Sequence, residues 1–221
     1  MAGSGTTSTG TDNEIEGNFL QYCGNHGINA VDTYRTQIKN NYIVQSWAAG
    51  IEANGSHGSA NGDISGNWVQ DTQLQYNVPQ GLLSAGNGNI NLISAGGTGF
   101  LHGWLIHDNF VLNTNPVCNS NLGPSGSDHG CSEGIQATEN PWDLHIYNNY
   151  IYNTGSEGIT LCEYDCSATG NFVANAGENC NGCGGIIQAV QTGSNNLTIG
   201  NSVVSGNTIW ADYSTFTTTT K

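Results

Sequence analysis

Positive charge is almost missing from this chain of 221 residues: Lys and Arg together number 3 against 17 Asp and Glu, a formal net charge of −14. So few cations release few counterions, which excludes a nucleic-acid binder held by phosphate contacts and argues equally against docking on an anionic membrane. No apolar run is long enough for a spanning helix, so membrane insertion is not expected. Strong helix formers are sparse, there is 1 Met, and there are only 4 Pro. A helical architecture therefore has little to build on.

Glycine and asparagine fill that space, with 32 and 30 residues. A unit of the form apolar-x-x-Asn-aromatic-apolar recurs as Ile15…Asn18-Phe19-Leu20, Ile38…Asn41-Tyr42-Ile43 and Ile64…Asn67-Trp68-Val69. It returns as Ile106…Asn109-Phe110-Val111, Ile146…Asn149-Tyr150-Ile151 and Ala168…Asn171-Phe172-Val173, with a weaker copy at Val204…Asn207-Thr208-Ile209. A Gly-apolar pair follows each full unit: Gly27-Ile28, Gly50-Ile51, Gly81-Leu82, Gly134-Ile135, Gly158-Ile159 and Gly185-Ile186. The first six asparagines are spaced 23, 26, 42, 40 and 22 apart. The interval of 42 is read as hiding a degenerate unit at Asn91-Leu92-Ile93, and the interval of 40 as holding a loop insertion, residues 113–132.

Short strands, Gly turns and one Asn per turn at a period near 23 predict parallel strands stacked ~4.8 Å apart with aliphatic ladders inside. Asparagine suits such corners because it tolerates left-handed dihedrals and can bond to its counterpart one layer away. The leucine-rich repeat is the competing period, but its signature is absent. The Ile-x-Gly-Asn-x-Ile and Gly-Ile units resemble those of right-handed parallel β-helix proteins of the pectin-lyase-like superfamily, over nearly the whole chain. The resemblance implies an all-β, single right-handed parallel β-helix of about eight coils with one long insertion. Residues 1–12 read as a low-complexity segment, 13–210 as the β-helix domain and 211–221 as a Thr-rich tail. Family members usually carry more coils and an N-terminal capping helix, so a fragment, or coil ends covered by a partner, is expected here.

Strand alternation turns the residue after each repeat Asn outward, predicting an exposed ladder of Phe19, Tyr42, Trp68, Leu92, Phe110, Tyr150 and Phe172. Such rings stack sugars or bury against another chain; equally, aromatics simply suit strands. The Gly-apolar strand lies on the face that holds the groove in enzymes of the resembling superfamily. Its outward column is expected to be Asn29, Glu52, Leu83, Gln136, Thr160 and Ile187. Glu133 and Glu157, 24 apart, precede equivalent glycines, and Glu139 and Glu163 follow the same strands. Paired carboxylates one layer apart raise one pKa or recruit a cation, of which Ca²⁺ is the natural choice for oxygen ligands.

With the insertion beside them, Asp128, His129, Glu133 and Glu157 form the candidate catalytic group. Glu52, Gln136, Thr160, Trp68 and Tyr150 are the candidate substrate contacts, and Glu139 with Glu163 the candidate metal ligands. The competing reading is a solvated acidic surface. Superfamily lyases use a basic residue, but Arg35 and Lys39 lie far from Glu133, and Lys39 is in register to pair with Glu16. Acid–base hydrolysis of a neutral glycan therefore fits better than cation-based elimination, with a Ca²⁺-assisted lyase as the remaining enzyme class.

Seven cysteines point to an oxidising compartment. Cys162/Cys166, Cys180/Cys183 and Cys118/Cys131 are the expected disulfides, leaving Cys23 over; zinc is disfavoured because a strand width separates the first two pairs. Two functions stand in view. One is an extracellular, polysaccharide-binding or polysaccharide-cleaving protein. The other is a structural or adhesive surface protein that self-assembles through its aromatic ladder or coil ends.

Overall fold

Each of the seven repeat asparagines, from Asn18 to Asn207, follows a residue in the left-handed region: Gly17, Asn40, Gly66, Asp108, Asn148, Gly170 or Gly206, with φ between 54° and 67°. That conformation costs little for Gly, Asn and Asp, which is why only these three types occupy the corner. The repeat Asn itself stands one residue past the left-handed corner rather than in it, while its expected bond to the counterpart one layer away is made. Its side chain is a rung between layers. In a computed structural model of the chain, which describes residues 10–72, 88–94, 101–113, 133–138, 141–162, 164–177, 184–188 and 200–211, the main-chain N–H and Nδ2 of Asn67 both donate to Asn109 Oδ1 at 3.0 Å. Nδ2 also reaches back to the Ile38 carbonyl at 2.8 Å. The same pattern links Asn41 to Asn67, Asn109 to Asn149 and Asn149 to Asn171.

The described residues are all-strand, with every ladder parallel and no helix. Three curled sheets of ten, seven and six strands receive the chain in a fixed cyclic order. One repeat contributes Asp63–Ser65 to the first sheet, Trp68–Gln70 to the second and Ile90–Ile93 to the third. Inward side chains from all three make one core. Ile38, Ile64, Ile106 and Ile146 come from the first sheet, Ile43, Val69, Val111 and Ile151 from the second, and Ile51, Ile90, Ile135 and Ile159 from the third; all have no exposure. At roughly 1.5–3 kcal/mol for each fully buried aliphatic, this column is the main stabilising term.

The glycine that precedes every described third-sheet strand but Ile90–Ile93 is there for space. A Cβ on Gly134 would stand 2.5 Å from the Gly158 carbonyl oxygen and 2.6 Å from Ile151 Cγ2, closer than packed atoms approach.

Two expectations need correcting. The second sheet has seven strands, so seven layers are described rather than about eight. Trp68–Gln70 pairs directly with Phe110–Leu112, so no further layer lies between Asn67 and Asn109. Asn91-Leu92-Ile93 instead belongs to the third-sheet strand of that long repeat, and Leu92 is fully buried in the core rather than part of the aromatic ladder. The Gly81-Leu82 pair and Leu83 lie outside the described residues, and Asn91 occupies the place expected for Leu83 in the outward column.

Candidate functional site

The outward column of the third sheet runs Asn29, Glu52, Asn91, Gln136 and Thr160, in register from strand to strand, and the backbone of Ile187 continues that register. These side chains alternate with core aliphatics, so the pleat turns them away from the interior. Even so, four of them are shielded from water: Glu52 is 5% exposed, Gln136 8%, Thr160 3% and Asn91 0%, while Asn29 is half-buried. Their hydrogen bonding is incomplete. Asn29 Oδ1, Asn91 Oδ1 and Thr160 Oγ1 are buried without a partner, as are Asn54 Oδ1 and His26 Nδ1 beside Glu52. Glu52 accepts from the amides of Asn54 and Asn91 at 3.3 Å each, and His26 Nε2 stands 3.6 Å from it. Gln136 Oε1 accepts from the Gly88 N–H at 2.9 Å. Buried polar atoms are nearly always satisfied, so this concentration on one face is unusual.

Glu133 and Glu157 stand at one end of this column, two residues before Ile135 and Ile159, which pair directly. The Gly134 N–H donates to the Glu157 carbonyl at 3.0 Å, and the Glu133 carbonyl accepts from Asn89 N–H at 3.0 Å. The Glu133 carboxyl is pushed up to about 8, first by burial and second by the Glu157 charge. A hydrogen bond with the Glu157 carboxyl adds to the rise, while the Thr160 hydroxyl opposes it. The Thr160 contact falls short of a well-formed bond, since Thr160 Oγ1 and Glu133 Oε2 both remain unpartnered. Ser156 Oγ donates to Glu157 Oε2 and holds that carboxylate in place. At neutral pH the pair therefore offers one neutral acid and a second carboxyl beside it, as two like groups sharing a site must.

Asp128, His129, Glu139 and Glu163 lie outside the described residues, as do Cys118, Cys131, Cys180 and Cys183. Among the described residues no group of three or more His, Cys, Asp or Glu side chains is arranged to hold a metal ion. Glu133 and Glu157 alone fall well short of the six to eight oxygens Ca²⁺ takes, and the neutral state of Glu133 weakens the pair further as a ligand.

Trp68 and Tyr150 are in the second sheet, on a different face from Glu133. There six rings form a continuous stack: Phe19, Tyr42, Trp68, Phe110, Tyr150 and Phe172, with centroids 4.9–5.9 Å apart. Interplanar angles are 7–22° except for the 38° tilt between Phe110 and Tyr150. The rings turn their faces to one another and their edges outward, so the flat faces that sugars stack on are already used along the ladder.

Lys39 is aligned with Glu16, but its cross-layer partner is Asp63 at 3.9 Å, while Glu16 accepts from Asn40 Nδ2 at 3.0 Å. Arg35 makes a bidentate pair with Asp12 at 2.6 and 2.7 Å. Cys162 and Cys166 form the expected local disulfide, with Cα atoms 5.9 Å apart, and Cys23 is free.

Sequence reading missed Asn91 and His26. Asn91 was recoverable: Ile90-Asn91-Leu92 repeats the apolar-polar-apolar alternation of Ile51-Glu52-Ala53 and Ile135-Gln136-Ala137, but Asn89 replaces the glycine that marks the unit elsewhere. No comparable pattern singles out His26. The chain significantly matches no protein-family model, no curated protein and no solved structure.

Proposed function

We propose that this protein is an extracellular, polysaccharide-binding member of the right-handed parallel β-helix class, of the pectin-lyase-like kind, and that the glycan lies along the outer column of the third sheet. One observation carries the reading: the row of shielded, unpartnered polar atoms from Asn29 to Thr160, ending at a carboxyl held neutral. Sugar hydroxyls both donate and accept, and amides, a hydroxyl and a protonated acid are the partners that answer them. Buried polar atoms of this kind cost about 1–3 kcal/mol each when left unmade, so a ligand that satisfies them gains that energy. Binding is favoured over cleavage by the closeness of the pair. Glycoside hydrolases separate their two carboxyls by about 5 Å or more to admit a sugar carbon or a water, whereas Glu133 and Glu157 are in hydrogen-bonding reach.

The test is a glycan array on the full chain across pH, with Glu133→Gln and Glu133→Ala variants. Binding at pH 6–7 that fades as Glu133 ionises near pH 8, persists to higher pH in Glu133→Gln and is lost in Glu133→Ala supports the proposal. No glycan response at any pH overturns it.

A second reading, a structural or adhesive surface protein, is favoured by the exposed edges of the aromatic ladder: Phe19 is 65% exposed, Phe110 46% and Tyr42 40%. A ridge whose ring faces are already occupied suits burial against another chain better than sugar stacking.

A further inference from the structure

The last described layer, Val203–Ser205 and Thr208–Trp210, leaves its inward positions open. Val204 belongs to the column of Ile146 and Ala168, and Ile209 to that of Ile151 and Val173, all fully buried. Val204 is nevertheless 55% exposed and Ile209 58%, with Val203 and Trp210 beside them at 50% and 49%. At the opposite end the same two columns finish in Ile15 and Leu20, only partly buried against the core. Among the described residues both ends are thus half-finished cores bordered by strands that pair on one side only, and such edges are templates for pairing.

The asparagine ladder gives these ends a polarity. Each rung donates its main-chain N–H and Nδ2 toward the next rung in the chain, and the series ends with Asn171 donating to Asn207 Oδ1 at 2.8 and 3.0 Å. Asn207 Nδ2 reaches back to the Ala168 carbonyl, but among the described residues its main-chain N–H has no acceptor. At the other end Asn18 donates its N–H and Nδ2 to Asn41 Oδ1, while its own Oδ1 receives no donor among the described residues. One end is therefore short of an acceptor and the other short of a donor. Val203–Trp210 carries no charge, so it presents nothing to repel Glu14 and Glu16 of the first layer.

We infer that the last layer of one copy stacks on the first layer of a second copy, head to tail. Asn207 donates to Asn18 Oδ1 of the second copy, Val204 packs under Ile15 and Ile209 under Leu20. The contact is heterologous: it joins unlike ends, leaves one of each free and extends into a filament rather than closing into a dimer. It is independent of the glycan proposal, because it uses neither the third-sheet column nor Glu133.

Sedimentation velocity over a range of concentrations, with electron microscopy of the concentrated sample, tests it on the full chain. Wild type should form an open-ended series of species. A Val204→Glu/Ile209→Glu double variant blocks one end, and Leu20→Glu blocks the other, with exposed Phe19→Glu as its substitute should Leu20→Glu fail a circular-dichroism check of folding. Each blocked variant alone should be monomeric, with association weakened about tenfold or more. Mixed in equal amounts, the two should form a dimer and nothing larger, because each keeps one good end. Three results overturn the inference: wild type monomeric at every concentration, assembly unaffected by both blocks, or a wild-type series that stops at the dimer.

Discussion

Glu133 and Glu157, 24 residues apart in the chain, stand at equivalent positions beside neighbouring strands, tied by the Gly134 N–H to the Glu157 carbonyl at 3.0 Å. Burial first, and the neighbouring Glu157 charge second, push the Glu133 carboxyl up to about 8. A surface Glu loses its proton near 4.5, so this pair makes the protein's stability depend on pH in an unusual direction.

Because the folded pKa of Glu133 lies above its unfolded value, the folded state binds more protons than the unfolded state between about 4.5 and about 8. The contribution is fully present below pH 4.5, declines as pH rises through that window and is lost above it. Unfolding free energies from urea titrations at pH 5 to 9 should fall for wild type by an amount on the order of a few kcal/mol. They should fall less for Glu133→Gln, which then becomes the more stable protein at pH 9. Parallel curves for the two would show that Glu133 does not hold a raised pKa.

A central rung of the asparagine ladder should matter more than a terminal one. Asn109 accepts two bonds from Asn67, donates twice to Asn149 Oδ1 and reaches the Ile64 carbonyl, all without exposure to solvent. Asn109→Ala keeps the main-chain bond but strands buried donors on Asn67 and leaves the Ile64 carbonyl short, so a loss of about 3 kcal/mol is expected in urea denaturation. Asn207→Ala, at the open end, should lose about 1 kcal/mol. Equal losses at both sites would mean the ladder is not read by burial.

The aromatic stack makes a similar comparison. Phe110 has ring neighbours on both sides, Trp68 at 5.4 Å and Tyr150 at 5.9 Å, whereas Phe19 has only Tyr42 at 5.5 Å. At roughly 0.5–1.5 kcal/mol per ring pair, Phe110→Leu should cost about twice what Phe19→Leu does. Near-ultraviolet circular dichroism should lose its aromatic signal in step.

The Cys162–Cys166 disulfide closes a short loop between buried sulfurs, with Cys162 2% and Cys166 1% exposed. For a loop of this size the chain-entropy estimate is about 2 kcal/mol. A Cys162→Ser/Cys166→Ser variant should melt at lower temperature by that measure, and reductant should bring wild type to the same midpoint.

Most of the repeat was legible because it is written locally. Gly17, Asn40 and Gly66 mark corners, the following Asn marks a rung, and Ile38 or Ile43 marks an inward position at fixed spacing. The long repeat between Asn67 and Asn109 was misread because Asn89 stands where glycine marks the other third-sheet strands, which hid Asn91 and sent Leu92 to the wrong face. Lys39 was aligned correctly with Glu16, yet its ion partner is Asp63, one layer the other way. Register gives two neighbours to every side chain, and spacing alone does not choose between them.

The amino-acid order by itself determined the period, the corner chemistry, the parallel all-strand class and the acidic surface, since each depends on residues a few positions apart or on composition. Tertiary structure alone decided that Glu133 is shielded and neutral, that the ladder rings face each other, and that Val204 and Ile209 are left open. Those outcomes depend on which segments, 22 to 42 residues distant in sequence, come to lie against one another, and burial, ring orientation and charge coupling are properties of that contact rather than of either residue.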